Sequence, residues 1–368
     1  MPGFNHVETK MKQSNFVIAA LGASALAFTS LAAAQSGVNI YGLIDTAIVQ
    51  EGGGGPSNVT KVTSGVSAGS RLGFKGTEDL GHGLSALFLL ESGFQSDTGA
   101  LGQGGLLVGR QAYVGLRSTA GAVLIGRQYT PEYLVVVAAD PFGSGYSGDS
   151  KNMVATTGNS FSRMDNTVKY LSPALAGWTL ELAAAPGEVA GNNASGRQFG
   201  GSLAYIKGPL QIRIGYHNRN NDTATVKNTD NARNEVIAVV YDFGIVKTSL
   251  LYGVNRGLNS SVLRNTANPF GRQAVASTDS RDTLAGVTVP FGSHALLMSY
   301  IYKNDRTALN QNARQLAVGY RYTLSKRTGF YTTYAKINNR NGASYTVGNA
   351  SESGAGDRSA TAGIVHTF

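Results

Sequence analysis

The chain has 368 residues with no cysteine, 48 glycines against 9 prolines, and 31 Lys+Arg against 22 Asp+Glu, a formal net charge of +9. Zero cysteine excludes a disulfide framework and every thiolate metal ligand or nucleophile. Charged residues make up 14% of the chain, below the ~25% of soluble domains. The basic ones are spread singly, without the compact cluster that binding nucleic acid needs.

The chain opens on a targeting pattern. Residues 16–34, FVIAALGASALAFTSLAAA, carry no charge, follow Lys10 and Lys12, and close on Ala32-Ala33-Ala34. That small-x-small ending predicts a removable signal peptide over residues 1–34, cut between Ala34 and Gln35, with Met11 as a natural alternative start. A transmembrane helix is the rival reading; the alanine-rich run and the missing basic flank after it count against one. Loss of Glu8, Lys10 and Lys12 leaves 29 basic against 21 acidic residues, a mature charge of +8 on residues 35–368.

From Gln35 onward the hydrophobic period is two. Trp178, Leu180, Leu182 and Ala184 oppose Thr179, Glu181 and Ala183. Leu210, Ile212, Ile214 and Tyr216 oppose Gln211, Arg213, Gly215 and His217. Leu316, Val318, Tyr320, Tyr322 and Leu324 oppose Gln315, Gly319, Arg321 and Thr323. Alternation of this length specifies strands. Seven short breaks hold turn residues, at 77–85, 118–122, 172–177, 206–209, 241–245, 290–294 and 324–328. Eight longer Gly/Asn/Ser/Asp-rich stretches lie between them, near 51–65, 96–108, 129–163, 186–197, 218–233, 255–281, 304–312 and 339–358. Fifteen alternating connections join sixteen strands.

Strands of ~9–11 residues match a tilted bilayer crossing. In hydrocarbon every backbone N–H and C=O needs a partner, so the sheet must close. The predicted fold is therefore an all-β, 16-stranded antiparallel transmembrane barrel, with short turns at one end and long loops at the other. Sixteen strands enclose an aqueous channel. The C-terminus fits, since Ala362, Ile364, His366 and Phe368 form one face that ends on an aromatic.

Motifs along the whole mature chain resemble the general porins of Gram-negative bacteria, in their β-proteobacterial branch. They are Val38–Thr46 (VNIYGLIDT), Gly69–Leu80 (GSRLGFKGTEDL), Leu90–Phe94 (LESGF), Gly109–Leu116 (GRQAYVGL), Ile125–Pro131 (IGRQYTP), Asp140–Gly143 (DPFG), Thr167–Pro173 (TVKYLSP), Tyr241–Gly244 (YDFG), Ser325–Thr328 (SKRT) and Gly363–Phe368 (GIVHTF). The resemblance implies a homotrimer in the outer membrane, amid lipid and lipopolysaccharide, passing ions and small hydrophilic solutes. It also implies a third loop folded inward and a terminal Phe368 read by the barrel-assembly machinery. Val365 departs from the family, which often has a basic residue there.

By the same resemblance Arg71, Arg110, Arg127 and Arg163 form a basic wall at the constriction, and acidic residues of the third loop face them. Asp140 leads, followed by Asp149 and Glu132, the last of which could equally anchor the loop. Periodicity alone does not select Arg110 and Arg127: they share parity with the apolar faces Ala112–Val114–Leu116 and Val123–Ile125, so a bulge or strand end is required. Fixed arginines stay charged at any working pH, and with the +8 they predict weak to moderate anion preference. No catalytic constellation or metal-ligand spacing is present: His82, His217, His294 and His366 are scattered, and Gly81-His82-Gly83 lies in a turn with no helix after it. The reading is a diffusion channel, not an enzyme, with no cofactor and no nucleic-acid partner. A pore selective for one solute class, such as organic acids or phosphate, and a surface adhesin remain as alternatives. A single visible arginine cluster argues against the first, and aromatic-poor loops argue against the second.

Overall fold

The computed structural model describes residues 37–368 apart from 56–57, 157–161, 228–229, 262, 265–267 and 273–274. The expected signal peptide and its cleavage point at Ala34–Gln35 lie outside the described residues. In chain order the first strands are β1 (Gly37–Gly52), β2 (Val59–Ser64), β3 (Arg71–Gly81), β4 (Leu84–Gly93), β5 (Gln111–Ser118) and β6 (Gly121–Tyr129). Helix α1 (Pro131–Ala139) and a 3₁₀ turn (Ser150–Asn152) follow. The chain then gives β7 (Arg163–Leu171), β8 (Trp178–Ala185), β9 (Gln198–Lys207), β10 (Leu210–Arg219), β11 (Ala232–Asp242) and β12 (Lys247–Ser261). It ends with β13 (Ser277–Phe291), β14 (His294–Asp305), β15 (Ala313–Thr323), β16 (Thr328–Asn339) and β17 (Arg358–Thr367).

From β3 to β17 each strand pairs antiparallel with its sequence neighbours, and β17 closes on β1 from Leu43↔Thr367 to Gly52↔Arg358. The ring has sixteen members because β2 and β3 are halves of one strand. The near half of β1 pairs with β3 (Gly37↔Thr77 to Leu43↔Arg71), and its far half pairs with β2 (Thr46↔Ser64 to Glu51↔Val59). The expected long loop near 51–65 is thus mostly strand. The pattern misses it because Gly52–Gly55 and Pro56 supply loop-like composition between the two strands.

The interruption at 65–70 is held by one side chain. The buried Asp45 carboxylate accepts hydrogen bonds from the Ser67 amide and hydroxyl (both 2.5 Å), the Ala68 amide (2.9 Å) and the Tyr331 hydroxyl (2.5 Å). Freed from the ladder, the Val66 carbonyl accepts instead from Tyr146 of the third loop (2.6 Å) and Ala350 of the last loop (3.3 Å). β1, β12 and β13 reach 15–16 residues, beyond the expected 9–11.

Alternation sorts the two faces. Ile214, Leu182, Leu316 and Val318 point out and are exposed, whereas Gly215, Ala183, Gln315 and Ala317 point in and are buried. An apolar exterior is stable only against lipid. Aromatics gather at the short-turn end: Trp178 against Tyr205, Tyr241 against Phe243, and His294 stacked among Phe291, Tyr320 and Tyr322. They form the interfacial girdle on that side. Phe368 exchanges backbone hydrogen bonds with Gly42 (3.0 and 3.1 Å), and its ring covers the space where a Gly42 side chain would stand.

The described part of the third loop, 130–156, enters the barrel. Thr130 caps α1 by accepting from the Tyr133 amide (3.2 Å), with Pro131 at the first helical position. Pro141 cannot continue the helix and ends it. Glycines in the wall make room for the loop. A Cβ on Gly215 would stand 3.0 Å from the Glu132 Cα, and one on Gly286 would overlap Pro141 Cγ. The far end is pinned to the opposite wall, where Asn152 and Gln315 pair side chain to side chain (3.0 Å) and Gln315 donates to the Gly148 carbonyl (3.1 Å). Asp282 accepts from the Ala155 amide (2.7 Å) while paired with Lys303 (2.5 Å).

Candidate pore constriction

The four arginines singled out in the sequence stand at irregular positions on neighbouring strands. Arg71 opens β3 directly after the break, Arg110 precedes β5 by one residue, and Arg163 opens β7. The β6–β7 register shifts between Gly126 and Gln128, at Arg127. A bulge re-aims one side chain, which resolves the parity conflict at Arg127; for Arg110 the strand end does so.

Arg110 donates from Nε to Glu91 Oε1 (2.7 Å) and from Nη2 to the Tyr129 hydroxyl (3.0 Å). Arg71 Nη1 is 4.0 Å from Glu91 Oε2, and its Nε donates to the Gly69 carbonyl (3.0 Å). Glu91 also accepts from the Tyr41 hydroxyl (2.8 Å). Arg163 donates to three neutral oxygens: the Arg110 carbonyl (2.7 Å), the Tyr129 hydroxyl (2.8 Å) and the Ser162 hydroxyl (3.3 Å). Its guanidinium lies 4.5 Å over the Tyr129 ring, which stacks on Tyr133 at 5.3 Å. Tyr129 therefore spaces two like charges while its ring carries one of them. Arg127 is set apart, paired with Asp165 and donating to the Gly109 carbonyl (2.8 Å).

The acidic residues of the third loop are arranged differently from expectation. Asp140 is buried, and its carboxylate accepts from the amides of Phe142 (2.9 Å), Ser144 (3.0 Å) and Ser150 (3.0 Å), folding the loop on itself. Burial, and then the nearby Asp149, push its carboxyl up to about 6. Asp149 caps the 3₁₀ turn by accepting from the Lys151 amide (2.8 Å), and it lies 3.1 Å from Arg264 and 3.4 Å from the Lys151 ammonium. Glu132 is buried in the first turn of α1, against the wall at Gly215. Loop amides compete for these carboxylates over short sequence distances, which a count of acidic residues cannot register.

The loop's contribution to the cavity is instead a cation. A space of ≈ 240 Å³ is lined by Arg71, Arg110 and Arg163 on the wall and by Lys151, Tyr133 and Ser144 on the loop. Lys151 also lies over the Tyr133 ring at 5.9 Å. Burial draws its ammonium below the usual lysine range, with Asp149 opposing. Four cations thus meet two carboxylates, Glu91 and Asp149. Sequence reasoning missed Glu91, Tyr129 and Lys151. Glu91 had a signal, as the charge that directly follows the apolar run Leu87–Leu90, and Tyr129 lies within the quoted IGRQYTP motif. Lys151 had none, because nothing in the loop sequence states which way it turns.

Residues 19–342 match the Gram-negative porin family. The chain is 31% identical to an outer membrane porin protein of Bordetella pertussis, over 86% of this chain and 93% of the relative. It is 30% identical to outer membrane porin protein 32 of Delftia acidovorans, over 90% of both. Among solved structures, the anion-selective porin from Comamonas acidovorans superposes with a TM-score of 0.74 at 25% identity, over 91% of this chain and all of that one. OmpF of Salmonella typhi shares the fold, with a TM-score of 0.66 at 18% identity. With its closed sixteen-stranded barrel, apolar exterior and inward third loop, the chain belongs to the Gram-negative porin family and is a passive diffusion channel of the outer membrane.

Proposed function

We propose that the channel prefers anions and that Arg71, Arg110 and Arg163, with Lys151 from the third loop, form its selective constriction, Arg127 standing behind them in its pair with Asp165. The observation that carries this is the excess of four cations over two carboxylates around one narrow space. Fixed charges lower the energy of a permeating counter-ion by replacing part of its hydration. The likeness to a porin described as anion-selective supports the same sign. Asp140 and Glu132 serve to hold the loop in the barrel, and Asp149 moderates Lys151.

The same reading makes residues 1–34 a removable signal peptide, residues 35–368 one barrel domain, and the working form a homotrimer embedded in lipid and lipopolysaccharide. It makes Phe368 the mark read during barrel assembly. Transport is passive, with no reaction catalysed. The test is the reversal potential of the refolded protein in a planar bilayer across a salt gradient. Conductance steps with an anion-sided potential are expected; a cation-sided potential would overturn the charge reading while leaving a pore.

A further inference from the structure

On the short-turn side of the constriction the lumenal face of β3–β6 turns apolar. Glu91 faces the lumen, so Leu89 and Leu87, which share its face of β4 toward the turn, do the same. Register carries that face across the neighbouring strands: Leu89 stands opposite Lys75 and Tyr113, and Leu87 opposite Thr77 and Gly115. Leu124 lies where a Gly115 side chain would stand and packs with Leu87 and Ala122, while Tyr113 and Leu171 add partly exposed edges. The barrel's large inward apolar cluster is covered by the third loop, whose Val136, Phe142 and Val154 belong to it. No third-loop residue joins this smaller one. Instead a cavity of ≈ 490 Å³ opens here, lined by Leu87, Leu89 and Tyr113. Lys75 and Arg117, both exposed, also line it, and its described lining residues include no carboxylate. The Lys75 ammonium lies over the Tyr41 ring at 5.1 Å. Among the described residues neither cation is ion-paired, unlike Arg71 and Arg110, which share Glu91.

We propose that this vestibule binds an organic monoanion with an apolar body, an aromatic monocarboxylate, whose ring rests on Leu87, Leu89 and Tyr113 and whose carboxylate is drawn to Lys75 or Arg117. Leucine surface held against lumenal water costs free energy, which an aromatic ring laid over it recovers. Tyr113 offers that ring a partner for offset or edge contact. The two cations turn to a solute carboxylate without giving up an acidic partner, and such charge-assisted hydrogen bonds are the stronger kind. A small inorganic anion gains nothing from the leucines, and a neutral aromatic gains nothing from the cations. A solute with both parts gains from both. The site lies beyond the constriction arginines, and its two cations are not theirs, so it stands whichever ion the constriction prefers.

The experiment adds benzoate, acetate and benzyl alcohol in turn to single channels and reads the concentration of each that halves the ion current. Acetate keeps the charge without the ring, and benzyl alcohol keeps the ring without the charge. Benzoate should block at about a tenth of the acetate concentration, which corresponds to roughly 60 Å² of apolar surface withdrawn from water. Benzyl alcohol should block no better than acetate. Leu89→Ser should bring benzoate close to acetate while leaving acetate where it was. Lys75→Gln combined with Arg117→Gln should weaken block by benzoate and acetate alike. All three side chains are at least partly exposed to the lumen, and heat-modifiable migration checks that each variant folds. Equal block by benzoate and acetate refutes the site. Benzoate block that survives Leu89→Ser and is relieved by Arg163→Gln belongs to the constriction and refutes it too. Benzyl alcohol that blocks as well as benzoate overturns the part given to the cations. A cation-sided reversal potential with the expected pattern of block removes the anion-preferring reading of the constriction and upholds the site.

Discussion

Arg163→Gln and Glu91→Gln are expected to move ion selectivity in opposite directions. Arg163 is bonded to neutral oxygens alone in the contacts described, so its charge reaches the lumen with little compensation. Glu91 is the carboxylate shared by Arg71 and Arg110 at 4.0 and 2.7 Å, and its loss uncovers them. A unit charge acting on an ion across ~6 Å of water is worth ~0.7 kcal/mol, which screening at 0.1 M salt trims to ~0.4 kcal/mol. Anion and cation shift oppositely, so the permeability ratio changes by ~0.8 kcal/mol, about fourfold. Arg163→Gln should lower the anion-to-cation ratio by about that factor, and Glu91→Gln should raise it. Both effects should nearly vanish at 1 M salt, where the screening length is ~3 Å. The assay is the zero-current potential under a salt gradient, with folding checked by heat-modifiable migration. Shifts of the same sign in the two variants, or shifts that persist at 1 M salt, would refute the reasoning.

Gly286→Leu should push the third loop off the wall, because even a Cβ there would collide with the Pro141 ring; single-channel conductance should fall and become noisier. Lys303→Met strands Asp282, since both side chains are about 1% exposed. Removing one partner of a buried pair costs ~3–5 kcal/mol, to be seen as a lower urea midpoint for barrel unfolding. The Asp140 carboxyl titrates at about 6 in the folded loop against 3.8 ordinarily, so the folded loop holds the proton more tightly than the unfolded chain. The loop should therefore gain stability as pH falls through 6, by ~1.4 kcal/mol for each pH unit crossed, and the gain should level off near 3.8. Corrected amide exchange of residues 142–153 should be slower at pH 5 than at pH 7, and Asp140→Asn should abolish the difference.

Most of the barrel was legible because its signals are local. A two-residue period decides which side chains meet lipid, and turn chemistry decides where strands reverse. Seven short and eight long connections then leave little freedom beyond a closed ring. The strand broken at 65–70 was not legible, because what holds it is Asp45 at one end of the sequence and Tyr331 near the other. The constriction was half legible: a motif could nominate Arg71, Arg110, Arg127 and Arg163, and their parity conflict foretold an irregular backbone. Which carboxylates face them was decided only in three dimensions. Cross-strand register sets Glu91 between Arg71 and Arg110, while loop amides draw Asp140 inward and leave Lys151 facing the space. Composition and period are properties of neighbours in the chain, whereas charge partnership is settled by register and loop insertion, which join residues tens to hundreds of positions apart.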